Sequence, residues 1–224
     1  FAKLYRDLLD GPLVNARKDG DVTDAFAKAA ASGGKVIEAL YEAPHAAHTQ
    51  MEPLNCTARL TGDKLDIWAG TQIPMGALRL AAATSGLKPE NITINNCFLG
   101  GGFGRRGRND EMRQAILVAK QVGKPVKLLW TREEDQMHGR YRPQAAVRLK
   151  TALGADGMPV AFDARIAVAS IHRSSGNPAN AASGVEPQAI EGIGNTQYKI
   201  PNVNVGCVLK NTHIPVGFWR SVGS

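Results

Sequence analysis

The run Gly100-Gly101-Gly102-Phe103-Gly104-Arg105-Arg106 is the part of this 224-residue sequence best suited to hold a ligand. It follows a stretch of strand character and precedes one of helical spacing. Successive glycines let backbone N–H groups converge on an anion or an oxo group without obstruction by a Cβ. A helix N-terminus beyond would add partial positive charge, and the paired arginines full charge. The competing reading is a tight turn that binds nothing. Gly102-x-Gly104-x-x-Gly107 also fits the dinucleotide-binding fingerprint formally. That fingerprint expects an acidic residue closing the next strand, whereas VKLLW runs into Trp130 and Thr131 and Glu133 comes later. No Gly-Lys-Ser/Thr follows, so a Walker A phosphate loop is excluded.

His45, His48 and Glu52 would share one face of a helix and there suggest a metal site. Pro44 and Pro53 argue for a loop instead, with these side chains bonding locally, and no metal site is expected. No Gly-x-Ser-x-Gly elbow frames a nucleophilic serine. Asp135, His138 and Arg140 read as a turn between strands. Cys56, Cys97 and Cys207 are far apart and odd in number, so neither a disulfide framework nor an iron–sulfur cluster can come from this chain alone. All three are expected to be buried.

The net charge of +7 collects in one stretch that includes Arg105, Arg106, Arg108, Arg113, Lys120, Arg132, Arg140 and Arg148. Such a patch is a solvated surface, or a contact for a phosphorylated cofactor or an acidic partner. Nucleic acid is disfavoured, because no aromatic platform alternates with the cations and no helix-turn-helix or zinc-finger spacing is present. No apolar run approaches the ~20 residues of a membrane span. The chain opens on Phe1 and stops within GFWRSVGS. Both ends read as cut, and targeting is not readable.

These residues need a frame. A helix is expected from Asp21 or Thr23 to Ala31, then a strand in KVIEALYEA and a loop over 43–55. Strands at 56–60 and 64–69 meet at a turn, and a helix follows over 73–87 with Gly86 as its C-cap. NITINNCFLG is a strand leading into the glycine run, with a helix over 109–122 and the strand VKLLW behind it. Gly154-Ala155-Asp156-Gly157 joins a long hairpin, 173–184 reads as loop, and NVNVGCVLKN is a last strand. The class is α+β, with mixed sheets and a few packed helices. Residues 1–35 read as the tail of a preceding domain or a linker, and 36–224 as one domain.

In order along the chain, HTQMEPLNCTARL, WAGTQIP, GGGFGRR, KPVKLLWTREED and GFWRSVG resemble the molybdopterin-binding large subunits of the xanthine dehydrogenase and aldehyde oxidase family. The wording is nearest to its isoquinoline oxidoreductase branch, and the resemblance covers about residues 35–224. It implies the N-terminal part of a molybdopterin-binding domain, with Gly101, Gly102, Phe103, Gly104 and Arg105 at the cofactor and Arg220 as the active-site arginine. It also implies a bound molybdopterin cytosine dinucleotide with molybdenum. Iron–sulfur clusters would sit in a small partner subunit, and the general base, a Glu, in a C-terminal half not present here. The implied reaction oxidises a small molecule, an N-heteroaromatic compound or an aldehyde, with oxygen from water, and this fragment alone is expected to be inactive. A purine is not expected, since Ala46 stands where purine-oxidising members have an oxo-bonding Gln, and Arg105-Arg106-Gly107 replaces their Gly-Lys-Glu. The alternatives are a nucleotide-dependent dehydrogenase built on the 102–107 glycines and a non-catalytic scaffold for subunit docking.

Overall fold

The computed structural model describes residues 1–220 and divides into two compact units. The first comprises residues 1–46 and 141–217, the second residues 47–140 and 218–220. The expected α+β class, with mixed sheets and a few packed helices, is what is found.

The first unit is built on a five-stranded sheet of β1 (Val14–Asp19), β2 (Lys35–Ala43), β7 (Ala145–Leu153), β8 (Pro159–Val168) and β9 (Asn202–Leu209), in the order β1-β9-β8-β7-β2. Only β8 and β9 run parallel, and β7 and β8 form the expected hairpin, with Gly157 at φ +79° in its turn. Period-two alternation sends Val203, Val205, Cys207 and Leu209 to one face of the sheet, with Ala164, Ile166 and Val168 beside them. Ala146 and Ala167 point the other way, and helix α1 (Ala2–Leu8) with Leu9 covers them. Helix α2 (Val22–Ala31) starts where Asp21 accepts the Thr23 and Asp24 amides, and it buries Ala25 and Ala29 against Ala152 and Ala161. Residues 1–35 are therefore no linker: β1 pairs with β9, and both helices pack on the sheet. Within 173–184, expected as loop, lie the end of α6 (Ile171–Ser174) and a 3-10 turn at Pro178–Ala181, followed by α7 (Pro187–Ile190).

The second unit carries β3 (Asn55–Thr61), β4 (Lys64–Ala69), β5 (Ile92–Asn96) and β6 (Val126–Leu129) in the order β5-β4-β3-β6. Helices α3 (Pro74–Ser85) and α4 (Asp110–Val122) lie on one face, and α5 (Arg132–Met137) follows β6. Cys56, Ala58, Leu65 and Ile67 alternate inward, and Met112, Ala115, Ile116 and Ala119 recur at helical spacing to meet them. Each fully buried Leu, Ile or Met contributes about 1.5–3 kcal/mol here. Strand β5 stops at Asn96, four residues short of its expected end, so Cys97 is exposed rather than buried. No helix among the described residues is long and apolar enough to cross a membrane.

The thiols differ accordingly. Burial pushes Cys56 and Cys207 up to about 12, so both stay protonated at mildly alkaline pH. A maleimide is expected to modify the folded chain at Cys97, and Cys97→Ser to abolish labelling until denaturant is added. Peptide mapping that found Cys56 or Cys207 modified in the folded chain would contradict this packing.

Candidate functional site

Within the second unit, β5 delivers the chain to the glycine run through an exposed stretch in which Phe98 is fully solvent-accessible. The run is then fastened at both ends. Gly100 N–H donates to Glu52 Oε2 at 2.9 Å, and Glu52 N–H returns a bond to the Gly100 carbonyl at 3.0 Å. Gly104 N–H donates to Gln72 Oε1 at 2.9 Å. Between these clamps the successive amides of Gly101, Gly102 and Phe103 meet no acceptor among the described residues. Phe103 sits at φ +50° with its ring half exposed, a backbone state that costs a non-glycine residue about 1–3 kcal/mol and concentrates at functional sites.

The glycines here answer to protein contacts. A Cβ on Gly100 would lie 2.4 Å from Glu52 Cβ, one on Gly102 2.7 Å from Gln72 Cδ, and one on Gly104 2.4 Å from the Phe218 carbonyl. Residues 218–220 close over the loop. Arg220 N–H donates to the Phe103 carbonyl at 2.9 Å, His48 Nε2–H to the Phe218 carbonyl at 2.8 Å, and the His48 ring stacks on Trp219 at 4.5 Å. Burial depresses the His48 pKa, which keeps the imidazole neutral. Arg220 and Phe103 are brought together through this backbone bond, and the Arg220 side chain is exposed. Ser221 lies outside the described residues.

The paired arginines are placed otherwise than expected. Arg106 is fully buried: Nε donates to the Gly101 carbonyl at 2.9 Å, and Nη2 to the Glu52 carbonyl and carboxylate, each at 2.8 Å. Arg105 is 2% exposed, donates to Asp110 Oδ2 at 2.8 Å and lies over the Trp130 ring. The charge of Arg105 thus points into the protein and not toward a ligand. A 3-10 turn, Arg105–Gly107, separates the glycines from α4, whose first turn already holds Asp110 and Glu111. The glycine run is accordingly neither a strand–turn–helix dinucleotide loop nor backed by a free helix end.

Residues 48–52 are held from behind. Gln50 Nε2 donates to Asp135 Oδ2 at 2.9 Å, and Arg132 reaches Asp135 and the Gln50 and Met51 carbonyls. Asp135 stands on α5 rather than in a turn between strands. Thr131 caps that helix by accepting the Glu134 amide, and Thr131-x-x-Glu134 is the capping-box spacing that announces it. Burial pushes the Glu52 carboxyl up, but Asn55, the Gly100 amide and the Arg106 charge together hold it below its usual range. Gln72 and Gln50 received no role from sequence, although Gln72 falls within WAGTQIP. Ala46 and His45 lie in the first unit, bonded to Arg142. Among the described residues no cluster of His, Cys, Asp and Glu is arranged to hold a metal.

The family model described as the molybdopterin cofactor-binding domain matches residues 9–224. The chain belongs to that family. Among curated relatives, the beta subunit of isoquinoline 1-oxidoreductase from Brevundimonas diminuta is 27% identical over 232 residues, all of this chain and 29% of that protein. The molybdenum-binding subunit PaoC of an aldehyde oxidoreductase from Escherichia coli K12 is 33% identical over 61% of the chain and 18% of its own length. The chain therefore spans less than a third of these relatives. Among solved structures, the aldehyde oxidoreductase of Desulfovibrio gigas superposes with a TM-score of 0.69 at 22% identity, over 92% of this chain and 22% of that one, a likeness of fold.

Proposed function

We propose that this molybdopterin-binding chain supplies the glycine-loop wall of the cofactor pocket in a molybdenum hydroxylase subunit that oxidises an N-heteroaromatic compound or an aldehyde with oxygen from water. The observation that carries the reading is the row of amides at Gly101, Gly102 and Phe103, unpartnered between two clamps and presented by a strained, half-exposed Phe103. Such a row suits oxo or phosphate oxygens. The bound group, a molybdopterin cytosine dinucleotide carrying molybdenum, would supply the oxidation itself, and electrons would leave through iron–sulfur clusters of a small partner subunit. Within this chain, Gly101, Gly102 and Phe103 orient the cofactor, while Gly104 closes the loop through Gln72. Arg220, tied to Phe103 through its backbone, offers its guanidinium to negative charge developing on substrate oxygen. The general base, a Glu, belongs to a part of the protein beyond this chain, which alone would be inactive.

Metal and pterin analysis of the full-length protein tests this. Gly102→Val, driven against Gln72, is expected to strip molybdenum and pterin together. Arg220→Ala is expected to retain both and lose about 100-fold or more in turnover. Wild-type protein free of molybdenum and pterin would sink the proposal.

A further inference from the structure

Below the glycine loop in sequence and contact, Arg105, Arg106 and Glu111 bury more ionisable groups than their ion pairs with the partly exposed Asp110 and Glu52 use. Arg105 is paired with Asp110, and Arg106 with Glu52. Both guanidinium charges are thereby matched. Glu111, on the first turn of α4, adds a third carboxyl that is fully buried, and no other residue hydrogen-bonds either of its oxygens. An ionised carboxylate without donors is among the costliest groups a protein interior can hold. The groups acting on Glu111 are its own backbone amide, Arg105 and Arg106 from the preceding turn, Asp110 on its own helix, and Cys56 on β3. The Cys56 thiol stays neutral at ordinary pH. Meanwhile Nε and Nη2 of Arg105 and Nη1 of Arg106 are buried and make no bond.

We infer that Glu111 is a positioning residue that works as a neutral acid: its proton leaves Arg105 and Arg106 on the partners that hold the glycine loop, and its ionisation draws one of them away. Arg106 is the vulnerable link of this arrangement, because it alone bonds both the Gly101 carbonyl and Glu52, which in turn bonds Gly100. A carboxylate at Glu111 competes with Glu52 for that guanidinium through the N–H groups still unbonded, and the clamp at Gly100 slackens. Burial pushes the Glu111 carboxyl up to about 7, against the pull of its own backbone amide and of Arg105 and Arg106, so the competition switches on near neutrality. The sign is definite. A carboxyl with a raised folded pKa binds a proton that the unfolded chain has lost, so stability falls as pH climbs from the unfolded value of 4.5 toward 7. Loosening on the alkaline side follows.

The role concerns the loop that the proposed function assigns to the cofactor, but the test does not require the cofactor. Hydrogen exchange of the segment 100–106 in the intact chain, corrected for intrinsic rates, is followed from about pH 6 to about pH 8. Wild-type protection is expected to fall by about tenfold across that range, the equivalent of one charge-assisted hydrogen bond. Glu111→Gln, which imitates the neutral acid, is expected to keep full protection throughout. Burial lowers the His48 pKa, and the Glu111→Gln comparison separates the two groups, since the variant leaves His48 in place. A flat wild-type profile, or an unchanged slope in Glu111→Gln, would overturn the inference, and the wild-type profile decides even if the variant misfolds. Molybdenum retained on full-length wild-type protein separates this failure from failure of the proposed function.

Discussion

Gly104→Ala is expected to lower the unfolding free energy of the second unit by about 3 kcal/mol or more, summing left-handed strain and overpacking. The added methyl would meet the Phe218 carbonyl at 2.4 Å, backbone rather than a side chain that can swing aside, at a φ of +101°. Either the loop or residues 218–220 must move, and the Arg220–Phe103 bond goes with them. Gly123→Ala separates the two causes. Gly123 has φ +64° and open space around its Cβ position, so only the strain cost of about 1 kcal/mol applies. Urea midpoints of the two variants check this, and equal losses would mean that the Phe218 contact is not what makes Gly104 necessary.

Arg106→Met is expected to cost about 3 kcal/mol. Methionine restores most of the volume and none of the bonds. The Gly101 and Glu52 carbonyls lose a buried donor, and the Glu52 carboxylate, itself 38% exposed, turns to solvent. Because Glu52 is half in water, the loss comes mainly from the two carbonyls rather than from the charge pair. Arg106→Lys tests that division, since one ammonium cannot bond Gly101 and Glu52 in the fork geometry of a guanidinium. Its urea midpoint should fall between those of wild type and Arg106→Met. A lysine variant as stable as wild type would mean that charge alone suffices.

The strands and helices with strong local patterns were legible in the sequence. The hairpin at 154–157, the alternating β3 and β4, and the helical spacing of α4 all stand where expected. Strand β1 was not legible, because Val-Asn-Ala-Arg-Lys-Asp has no alternation and becomes a strand only by pairing with residues some 190 positions later. Paired arginines read as surface charge, yet both are interior, since burial depends on Asp110 turning back from α4 and on Glu52 arriving from far earlier in the chain. The glycines announced a special loop, but the reason for each of them, Glu52, Gln72 and Phe218, lies in tertiary contacts that spacing does not encode.

The order β1-β9-β8-β7-β2 also governs how the chain can be made. Residues 47–140 are inserted within the first unit, and their four strands pair almost wholly among themselves, so this part can condense while the ribosome is still at work. The five-stranded sheet cannot: β1 waits for β9, and the ordering entropy of that long closure is met only once β9 has been made. Residues 218–220, which close over the glycine loop, emerge later still. Until then the loop is held by Glu52, Gln72 and Arg106 without that cover, and during synthesis its amides are open to whatever finds them first.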